Sequence, residues 1–403
     1  MDGLVNQFNL PFNLPFNLPF NLPLVTSNRS LIENNLSMNN DTNQVRPLDT
    51  CLVIGGAGFL GSNIVKRLLN QNVKVIVFDR QRPAFDHKHL VSYQADLSDH
   101  STLEQSCQGV DCVFHTASAI DLGGGSAAPD SYRNRSIEIN INGTQSVIDA
   151  CHKNGVSRLV YTSSNVVCFN GTPITGMNSS TPYAQRIYDM YTESKIAAEQ
   201  LVLANNGRAG LLTCAIRPSG IYGAESNMML DKLVSECVNG KLIAALGNPN
   251  AVHENVYIDN LVHAQLLAAE RLVVGNRCCG RGYFISDNEP QNNFEFFRPL
   301  IEGLGYQFPQ IWIPMNLLLP LLKTWQWLHF KLGIPAPMMT PKELDKACTT
   351  HLSDISEPLK DLDYQPLITV SQAMEICLPY CLDLQKRLTS ATAKGLNIEG
   401  KSL

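Results

Sequence analysis

The feature that most constrains the fold is a glycine-rich turn between a short apolar strand and a helix. The strand is Cys51–Ile54, and the turn holds three glycines spaced three residues apart, Gly55, Gly58 and Gly61. Apolar residues then recur at helical spacing over residues 60–69. A β-branched strand, Val73–Phe78, comes next and ends beside Asp79. This order of strand, turn, helix and strand predicts a parallel βαβ unit.

The alternation of strands and helices continues to about residue 218. It predicts strands at Asp111–Phe114, Leu159–Thr162 and Leu211–Ile216, and helices at Ile137–Cys151 and Tyr188–Leu203. Such a rhythm predicts an α/β fold with a doubly wound parallel sheet of the Rossmann type, which binds ligands at the carboxyl ends of its strands. Beyond residue 218 the alternation becomes less regular, with predicted helices at Met229–Val238 and Leu261–Leu272 and a predicted strand at Glu254–Ile258. This change predicts a smaller C-terminal substrate lobe.

Composition divides the chain into four parts. Residues 1–48 carry a fourfold Phe-Asn-Leu-Pro repeat and an Asn- and Ser-rich stretch, so we expect a disordered tail, either a tolerated repeat or a docking arm. Residues 49–225 are expected to form the NAD-binding core, and residues 226–385 the substrate lobe, interleaved with core elements. Residues 386–403 are expected to be a flexible C-terminus.

Charge and cysteine content exclude several classes of protein. A net charge of -5 without a long basic block argues against nucleic acid as a partner. The twelve cysteines are scattered and lack the spacing of a zinc site, so we expect reduced structural thiols, no metal and a cytoplasmic setting. No secretory signal and no long uncharged apolar stretch is visible in the sequence.

The glycine turn predicts a dinucleotide site. A helix that starts at such a turn presents free N–H groups and its positive dipole end to a pyrophosphate, here from Gly55, Gly58, Phe59, Leu60 and Gly61. Asp79 can accept both ribose hydroxyls of NAD, and its charge would repel the 2′-phosphate of NADP. Arg80 and Arg82 leave NADP open as the less favoured cofactor. Asp96, followed by Leu97, either flanks the adenine or is a loop aspartate that starts a helix.

The catalytic candidates lie in the second half of the predicted sheet. Tyr191 and Lys195 are four residues apart and therefore share one face of a helix. A tyrosine and a lysine at this spacing, with no other signal, are typical of a solvated helix face. A neighbouring ammonium and a positive nicotinamide predict a lowered phenol pKa, and the lysine can also bind the cofactor ribose. Ser164 follows a strand and can hold a substrate oxygen beside the tyrosine, with Ser163 not excluded. Together these residues predict proton removal from an alcohol by Tyr191.

On these residues the chain resembles the extended short-chain dehydrogenase/reductase family over about residues 50–380. Further matches are His115-Thr116-Ala117, Asn140-x-x-Gly143-Thr144, Arg217-Pro218-Ser219-Gly220 and Leu362-Asp363-Tyr364-Gln365-Pro366. The resemblance implies that Ser164 is the catalytic serine and that Ala117 and Pro218 line the cofactor site. Ile54 stands where the family usually has threonine, which weakens one hydrogen bond of the turn.

Within that family the chain is most similar to the 3β-hydroxysteroid dehydrogenases, and more narrowly to the decarboxylating sterol-4α-carboxylate 3-dehydrogenases. The similarity lies in the segments 187–195, 215–221 and 283–290. It implies oxidation of a 3β-hydroxysterol by NAD and loss of a C4 carboxylate as CO2 from the 3-ketone. The alternatives are a nucleotide-sugar epimerase, a dihydroflavonol-type reductase and a non-catalytic dinucleotide-binding scaffold. The sequence shows neither a partner for the carboxylate nor a separate base for a Δ5-Δ4 isomerisation.

A stretch rich in Leu and Trp, Pro314–Leu332, leaves two interpretations open. It predicts either an interfacial helix, through which a lipid substrate enters from a membrane, or a helix packed on the small lobe. The first would place the protein at the cytosolic face of a membrane. The sequence also leaves assembly as a homodimer open.

Overall fold

The computed structural model of the protein describes residues 44–120, 130–185, 189–225, 228–335 and 341–393. Most of the expected low-complexity tail, the residue Tyr188 and the last ten residues lie outside these ranges. Within them the strands are β1 (Thr50–Ile54), β2 (Lys74–Asp79), β3 (Leu90–Gln94), β4 (Cys112–His115), β5 (Arg158–Thr162), β6 (Ile174–Met177), β7 (Leu212–Pro218), β8 (Gly220–Tyr222), β9 (Ala245–Leu246), β10 (Asn255–Tyr257), β11 (Arg281–Ile285), β12 (Trp312–Ile313) and β13 (His351–Ser353).

The helices of the same residues flank and extend this set of strands. They are α1 (Phe59–Asn70), α2 (His100–Ser106), α3 (Asp130–Ser136), α4 (Gly143–Asn154), α5 (Met190–Ala204), α6 (Met228–Val238), α7 (Ile258–Arg271), α8 (Arg298–Gly303), α9 (Met315–Leu332), α10 (Pro341–Cys348), α11 (Ser356–Leu362) and α12 (Val370–Ala393). Short 3-10 turns lie at Asn165–Cys168, Arg208–Gly210 and Glu295–Phe297.

Seven of the described strands form one parallel sheet in the order β11-β7-β5-β4-β1-β2-β3. From β1 the chain runs through β2 and β3 toward one edge, and then through β4, β5, β7 and β11 toward the other. The strand order therefore reverses between β1 and β4, which pair from Cys51↔Cys112 to Ile54↔His115. In open α/β sheets the ligand binds at this reversal, outside the carboxyl ends of the strands. The predicted doubly wound Rossmann sheet is confirmed.

Two buried clusters cover the two faces of the sheet. Successive residues of a strand point to opposite faces, so Cys51 and Val53 pack with α1 and α7, whereas Leu52 and Ile54 pack with α2, α4 and α5. This alternation explains why β1 is an uninterrupted apolar run in the sequence, as expected of a strand buried on both faces.

Smaller pieces of sheet lie beyond the main one. Strand β8 pairs with β10, β9 with β12, and β6 with β13, each in parallel. Strand β11 returns from the second half of the chain to pair with β7. Residues after 226 therefore contribute both to the smaller units and to the main sheet.

The structure corrects both ends of the predicted folded region. The backbone N–H of Arg46 donates to Glu270 O at 2.8 Å, and the buried Arg158 side chain donates to the carbonyls of Arg46 and Pro47. The tail boundary at residue 48 was therefore placed too late. Helix α12 runs to Ala393 and packs on α6 and α8, so the expected flexible end at 386 begins inside a helix.

The helix predicted at Ile137–Cys151 has a different form. Helical structure begins at Asp130 and ends at Asn154, and residues Ile137–Asn142 are a π-helical segment between α3 and α4. A π segment adds one residue to a turn and is often found at functional sites. Apolar periodicity does not reveal such an insertion, because it shifts the register by a single residue.

Helix α9 covers the predicted apolar stretch, and no residue of it is buried against the rest of the described chain. Its exposed side chains include Leu317, Leu321, Trp325, Trp327 and Leu332. Helix α9 nevertheless contacts α10, and several of its residues are half-buried, among them Leu318, Leu319, Leu322 and Leu328. Both interpretations of this helix therefore stay open. A search of the described helices finds none with both the length and the apolarity needed to cross a membrane.

Candidate active site

The glycine turn has the tight geometry that a bound phosphate requires. Gly55 has φ +81°, a value that favours glycine, and its carbonyl accepts from Gly58 N at 3.1 Å. A Cβ on Gly61 would lie 2.0 Å from Gly55 O, and one on Gly55 would lie 2.7 Å from Ala117 N. No side chain fits at either position, so the start of α1 is kept open beside the ends of β1 and β4.

The residue before the turn is not a weak point. The carbonyl of Ile54 accepts hydrogen bonds from Thr116 Oγ1 at 2.8 Å and from Thr116 N at 2.9 Å. The backbone N–H of Ala117 donates to the same carbonyl at 3.1 Å. The threonine that follows β4 therefore ties β1 to β4, and Ile54 itself lacks the hydroxyl of the threonine that the family usually has at this place.

Asp79 lies at the end of β2 and faces the turn. Its Oδ2 accepts from Ala57 N at 3.0 Å, and its Oδ1 accepts from Gln81 N at 3.0 Å. The side chains of Arg80 and Arg82 are exposed. The carboxylate is thus oriented by backbone donors on both sides, whereas the side chains of the two arginines are open to solvent.

The Asp96–Leu97 pair divides between surface and core. Asp96 is exposed, and its carboxylate accepts from Ser98 N and Oγ. Asp99, not Asp96, caps helix α2 by accepting from Thr102 N at 3.1 Å. Leu97 is buried against Gly143, where an added Cβ would lie 2.8 Å from its Cδ1. The interpretation of Asp96 as a helix cap is therefore wrong.

Helix α5 carries Tyr191 and Lys195 to the carboxyl end of β5, which neighbours β4 in the sheet. It begins at an Asp189 cap, whose Oδ1 accepts from Thr192 N at 2.7 Å. Both side chains are buried, and the Ser164 hydroxyl, which follows β5, hydrogen-bonds the Tyr191 phenol. Ser163 Oγ is also buried but has no hydrogen-bond partner in the described chain. The structure therefore places Ser164, rather than Ser163, beside the tyrosine.

The ammonium of Lys195 is held on the strand side of the helix. Its Nζ donates to Thr162 O at 2.6 Å and lies 4.3 Å from the centroid of the Tyr161 ring. Burial lowers the pKa of Lys195 to about 7, against a smaller opposing effect of Glu199. Both the charged and the neutral form of Lys195 are therefore populated near physiological pH.

The expected lowering of the Tyr191 pKa is not found in the chain alone. Burial raises this pKa to about 12, and it outweighs the hydrogen bond from Ser164, which acts in the opposite direction. The spacing of Tyr191 and Lys195 reveals the nearby charge but not the loss of water around the phenol, which is the largest effect on its pKa. A further positive charge at the site is needed to favour the ionised form.

Asn140, inside the π segment, joins the loop after β4 to helix α5, which carries Tyr191 and Lys195. Its Oδ1 accepts from Ala119 N at 2.7 Å, and its Nδ2 donates to Ala119 O at 3.0 Å and to Ser194 Oγ at 2.9 Å. Ser194 lies next to Lys195 and donates to Tyr191 O at 2.9 Å. The sequence motif named Asn140, but its contacts with both elements appear only in the structure.

A buried ion pair under helix α5 was not predicted. Glu199 accepts from Arg217 Nη2 at 2.6 Å and from the Tyr183 hydroxyl at 2.8 Å, and both charged side chains are almost fully buried. The pair links α5 to β7, because Arg217 precedes Pro218 at the end of that strand. Pro218 is itself buried.

Replacing Glu199 with Gln is expected to destabilise the fold by about 3–5 kcal/mol, because it leaves a buried guanidinium without its counter-ion. The urea midpoint measures this loss. Glu193→Gln, on the same helix but half-exposed, is the matched control and should cost less than about 1 kcal/mol. Equal losses in the two variants would show that the buried pair has no special weight.

Comparison with known proteins identifies the family of the chain. A profile of the 3-beta hydroxysteroid dehydrogenase/isomerase family matches residues 52–317. A 3-beta-hydroxysteroid dehydrogenase from Mycolicibacterium neoaurum is 40% identical over 338 residues, which cover 84% of this chain and 92% of the relative. A 3 beta-hydroxysteroid dehydrogenase/Delta 5-->4-isomerase from Mycobacterium tuberculosis is 39% identical over 363 residues, with coverages of 88% and 98%.

Solved structures share the fold at low identity. An epimerase from Methanothermobacter thermautotrophicus superposes with a TM-score of 0.67 at 15% identity, covering 87% of this chain and 96% of that chain. A UDP-glucuronic acid 4-epimerase from Bacillus cereus, in complex with NAD, gives 0.64 at 17%, with coverages of 83% and 99%. The chain itself belongs to the 3-beta hydroxysteroid dehydrogenase/isomerase family and is an NAD-dependent oxidoreductase that acts on a CH–OH group.

Proposed function

We propose that the protein oxidises the 3β-hydroxyl of a sterol that carries a C4 carboxylate, and that CO2 is lost from the product. The observation that carries the oxidation step is the buried contact of Tyr191 with Ser164, on the helix that also carries Lys195, at the carboxyl end of β5. Narrowing the substrate to the carboxylated sterol rests on the similarity of segments 187–195, 215–221 and 283–290.

The residues around the turn fit a dinucleotide. An added methyl group at Gly55 or Gly61 would collide with backbone, so only glycine allows the tight turn from which the N–H groups at the start of α1 can approach a pyrophosphate. We assign the pyrophosphate to the turn residues, the adenosine ribose to Asp79, and the remaining contacts to the flanking residues Asp96, Leu97, Ala117, Lys195 and Pro218. NAD, when bound, supplies the hydride acceptor and a positive charge that favours the ionised phenol.

Side chains of the protein then remove the proton from the substrate hydroxyl. The Ser164 hydroxyl holds the substrate oxygen next to the Tyr191 phenol oxygen, and Tyr191 takes the hydroxyl proton. Lys195, anchored at Thr162 O, stabilises the phenolate through its charge. With a C4 carboxylate present, the resulting ketone is a β-keto acid, and the C4–carboxylate bond breaks as its electrons pass to the enolate.

The test is a matched pair of substrates, a 4α-carboxy-3β-hydroxysterol and its 4α-methyl counterpart. NADH formation reports oxidation, and mass spectrometry of the products reports loss of CO2. Oxidation and CO2 loss with the acid are expected. Oxidation of the methyl sterol alone would leave a sterol dehydrogenase without the carboxylated specificity, and turnover of a UDP-sugar alone would overturn the sterol assignment.

Replacing Asp79 with Ser should reverse part of the cofactor preference. The variant removes the negative charge that would face a 2′-phosphate and leaves the exposed Arg80 and Arg82 in place. We expect the ratio of kcat/KM with NAD to kcat/KM with NADP to fall at least about tenfold. Asp86→Ser on the loop after β2 is the control, and an unchanged ratio for Asp79→Ser would contradict the ribose assignment.

We further propose that α9 rests on a membrane surface at the cytosolic face. Its exposed Leu and Trp side chains are accompanied by Lys323, His329 and Lys331, and residues 315–332 include no acidic residue, so the helix suits an anionic lipid surface. The twelve free thiols support a reducing compartment. This placement would let a sterol enter the site from the bilayer.

Co-sedimentation with vesicles of phosphatidylcholine and phosphatidylserine tests the contact. Wild type should bind, and Trp325→Asp combined with Leu321→Asp should lose most of the binding while keeping activity on solubilised substrate. Unaltered binding by this variant would remove α9 as the contact. Size-exclusion chromatography with light scattering tests the homodimer that the sequence left open.

A further inference from the structure

A basic residue of the small lobe reaches the residue that follows the catalytic serine. Lys346 lies on α10, and its Nζ donates to Asn165 Oδ1 at 3.0 Å across a separation of 181 residues. Asn165 is 2% exposed and directly follows Ser164 at the end of β5. A lobe that closes over the sheet thus brings an ammonium next to the group that holds the substrate oxygen.

Two histidines, His253 and His351, lie near Lys346 and differ from it in charge. We call the part of the fold that holds these three residues and Asn165 the corner. The rings of His253 and His351 stack with centroids 5.4 Å apart, and both are buried. Burial lowers the pKa of His253 to about 3 and that of His351 to about 4, and the charge of Lys346 lowers both. At neutral pH both imidazoles are therefore neutral, and the positive charge of this corner is that of Lys346.

The corner also holds a buried polar atom that the fold does not use. His351 Nδ1 is bonded to Thr349 O at 2.8 Å, whereas His351 Nε2 has no hydrogen-bond partner among the described residues. Buried polar atoms in folded proteins are normally paired, and exceptions call for an explanation such as a ligand or water. Because Nδ1 donates to Thr349 O, Nε2 of the neutral ring is an acceptor and can bind only a donor such as a hydroxyl or a water, so an anion in this corner would be held by Lys346.

We propose that Lys346 is a specificity-determining residue that binds an anionic substituent on the carbon next to the alcohol carbon. The proposal rests on the function proposed above, in which that substituent is the C4 carboxylate of the sterol. Asn165 directly follows Ser164, so the ammonium that Asn165 holds is bonded to the residue next to the one that we propose to hold the alcohol oxygen. A carboxylate is the partner that an ammonium in a partly buried corner favours.

The contact acts on binding and orientation before oxidation, and not on the breaking of the carbon–carbon bond. Once the 3-ketone has formed, the electrons of the C4–carboxylate bond pass to the enolate, CO2 leaves, and solvent returns a proton to C4. Since the ketone accepts those electrons, this step needs no further oxidant. A variant of Lys346 should therefore change the KM of the acid more than the kcat.

The experiment compares the acid with its 4α-methyl counterpart in wild type, Lys346→Met and Lys346→Arg, by NADH formation. For Lys346→Met, the ratio of kcat/KM for the acid to kcat/KM for the methyl sterol should fall about 10- to 100-fold, mainly through the KM of the acid. Lys346→Arg keeps the charge and should restore most of the ratio. Lys360→Met, exposed on α11, is the matched surface control and should leave the ratio unchanged.

The possible outcomes test the role of Lys346 separately from the proposed function. An unchanged ratio in Lys346→Met, or an equal loss on both substrates with retained NAD binding and melting temperature, overturns the role of Lys346. If wild type oxidises the methyl sterol but not the acid, the carboxylated function fails, and the acid is then tested as an inhibitor of the methyl sterol. Inhibition that Lys346→Met abolishes would still support the anion contact, and absence of inhibition in wild type would overturn it.

Discussion

Replacing Tyr191 with Phe is expected to lower kcat/KM for alcohol oxidation by about 10²- to 10⁴-fold, because the change removes the group that accepts the proton and little else. The phenol is buried and contacts Ser164, so the aromatic ring should keep its place and NAD should bind with wild-type affinity. Steady-state kinetics with a 3β-hydroxysteroid and a separate NAD-binding titration measure the two quantities.

A matched variant separates loss of the proton acceptor from loss of any phenol. Tyr306→Phe removes a hydroxyl from a half-buried tyrosine after α8, and it should retain nearly all of the activity. Full activity in Tyr191→Phe would mean that another group takes the proton. Loss of both NAD binding and folding in that variant would instead assign the tyrosine a structural role.

Replacing Gly61 with Ala is expected to weaken NAD binding at least about tenfold and to cost about 1–3 kcal/mol of stability. The added Cβ would lie 2.0 Å from Gly55 O and 2.8 Å from Gly56 Cα, and both are backbone atoms that cannot rotate away. The turn must open, and the N–H groups at the start of α1 then no longer converge on a phosphate. Calorimetric titration with NAD and a thermal melt measure the two effects.

The neighbouring glycine supplies the control for this variant. At Gly58 the backbone has φ -75°, and an added Cβ would lie 3.3 Å from Gly55 O, so the turn can keep its shape. Gly58→Ala should therefore lose less than about 1 kcal/mol of stability. Wild-type NAD binding in Gly61→Ala would show that the close packing of this turn is not needed for the cofactor.

The elements that form the sheet were largely predictable from local pattern. Strand β1 begins one residue before the predicted Cys51, and α5 begins at Met190, two residues after the predicted start. Both signals are local, because burial on two faces needs a continuous apolar run and a helix repeats every 3.6 residues. The tyrosine and the lysine share a face for the same reason.

Other features depend on energies that neighbouring residues do not encode. In the chain alone the pKa of Tyr191 lies above its ordinary value, because the desolvation of the phenol depends on everything packed around it. The predicted lowering includes the charge of a bound nicotinamide and stays a prediction. The cap of α2 was assigned to Asp96 as an alternative, but Asp99 fills it. Both residues are aspartates and either could cap a helix, so the path of the backbone determines which of them does.

The sequence by itself determined the glycine turn, the Tyr191–Lys195 spacing and the strand–helix rhythm, because each depends on residues a few positions apart. Tertiary structure decided which distant residues share the site. The strand order places Ser164 beside Tyr191, buries Glu199 against Arg217 and carries Lys346 to Asn165 across 181 residues. Such contacts follow from the order in which strands pair and from the path of the small lobe. The spacing of residues along the sequence reveals neither the strand order nor the path of the small lobe.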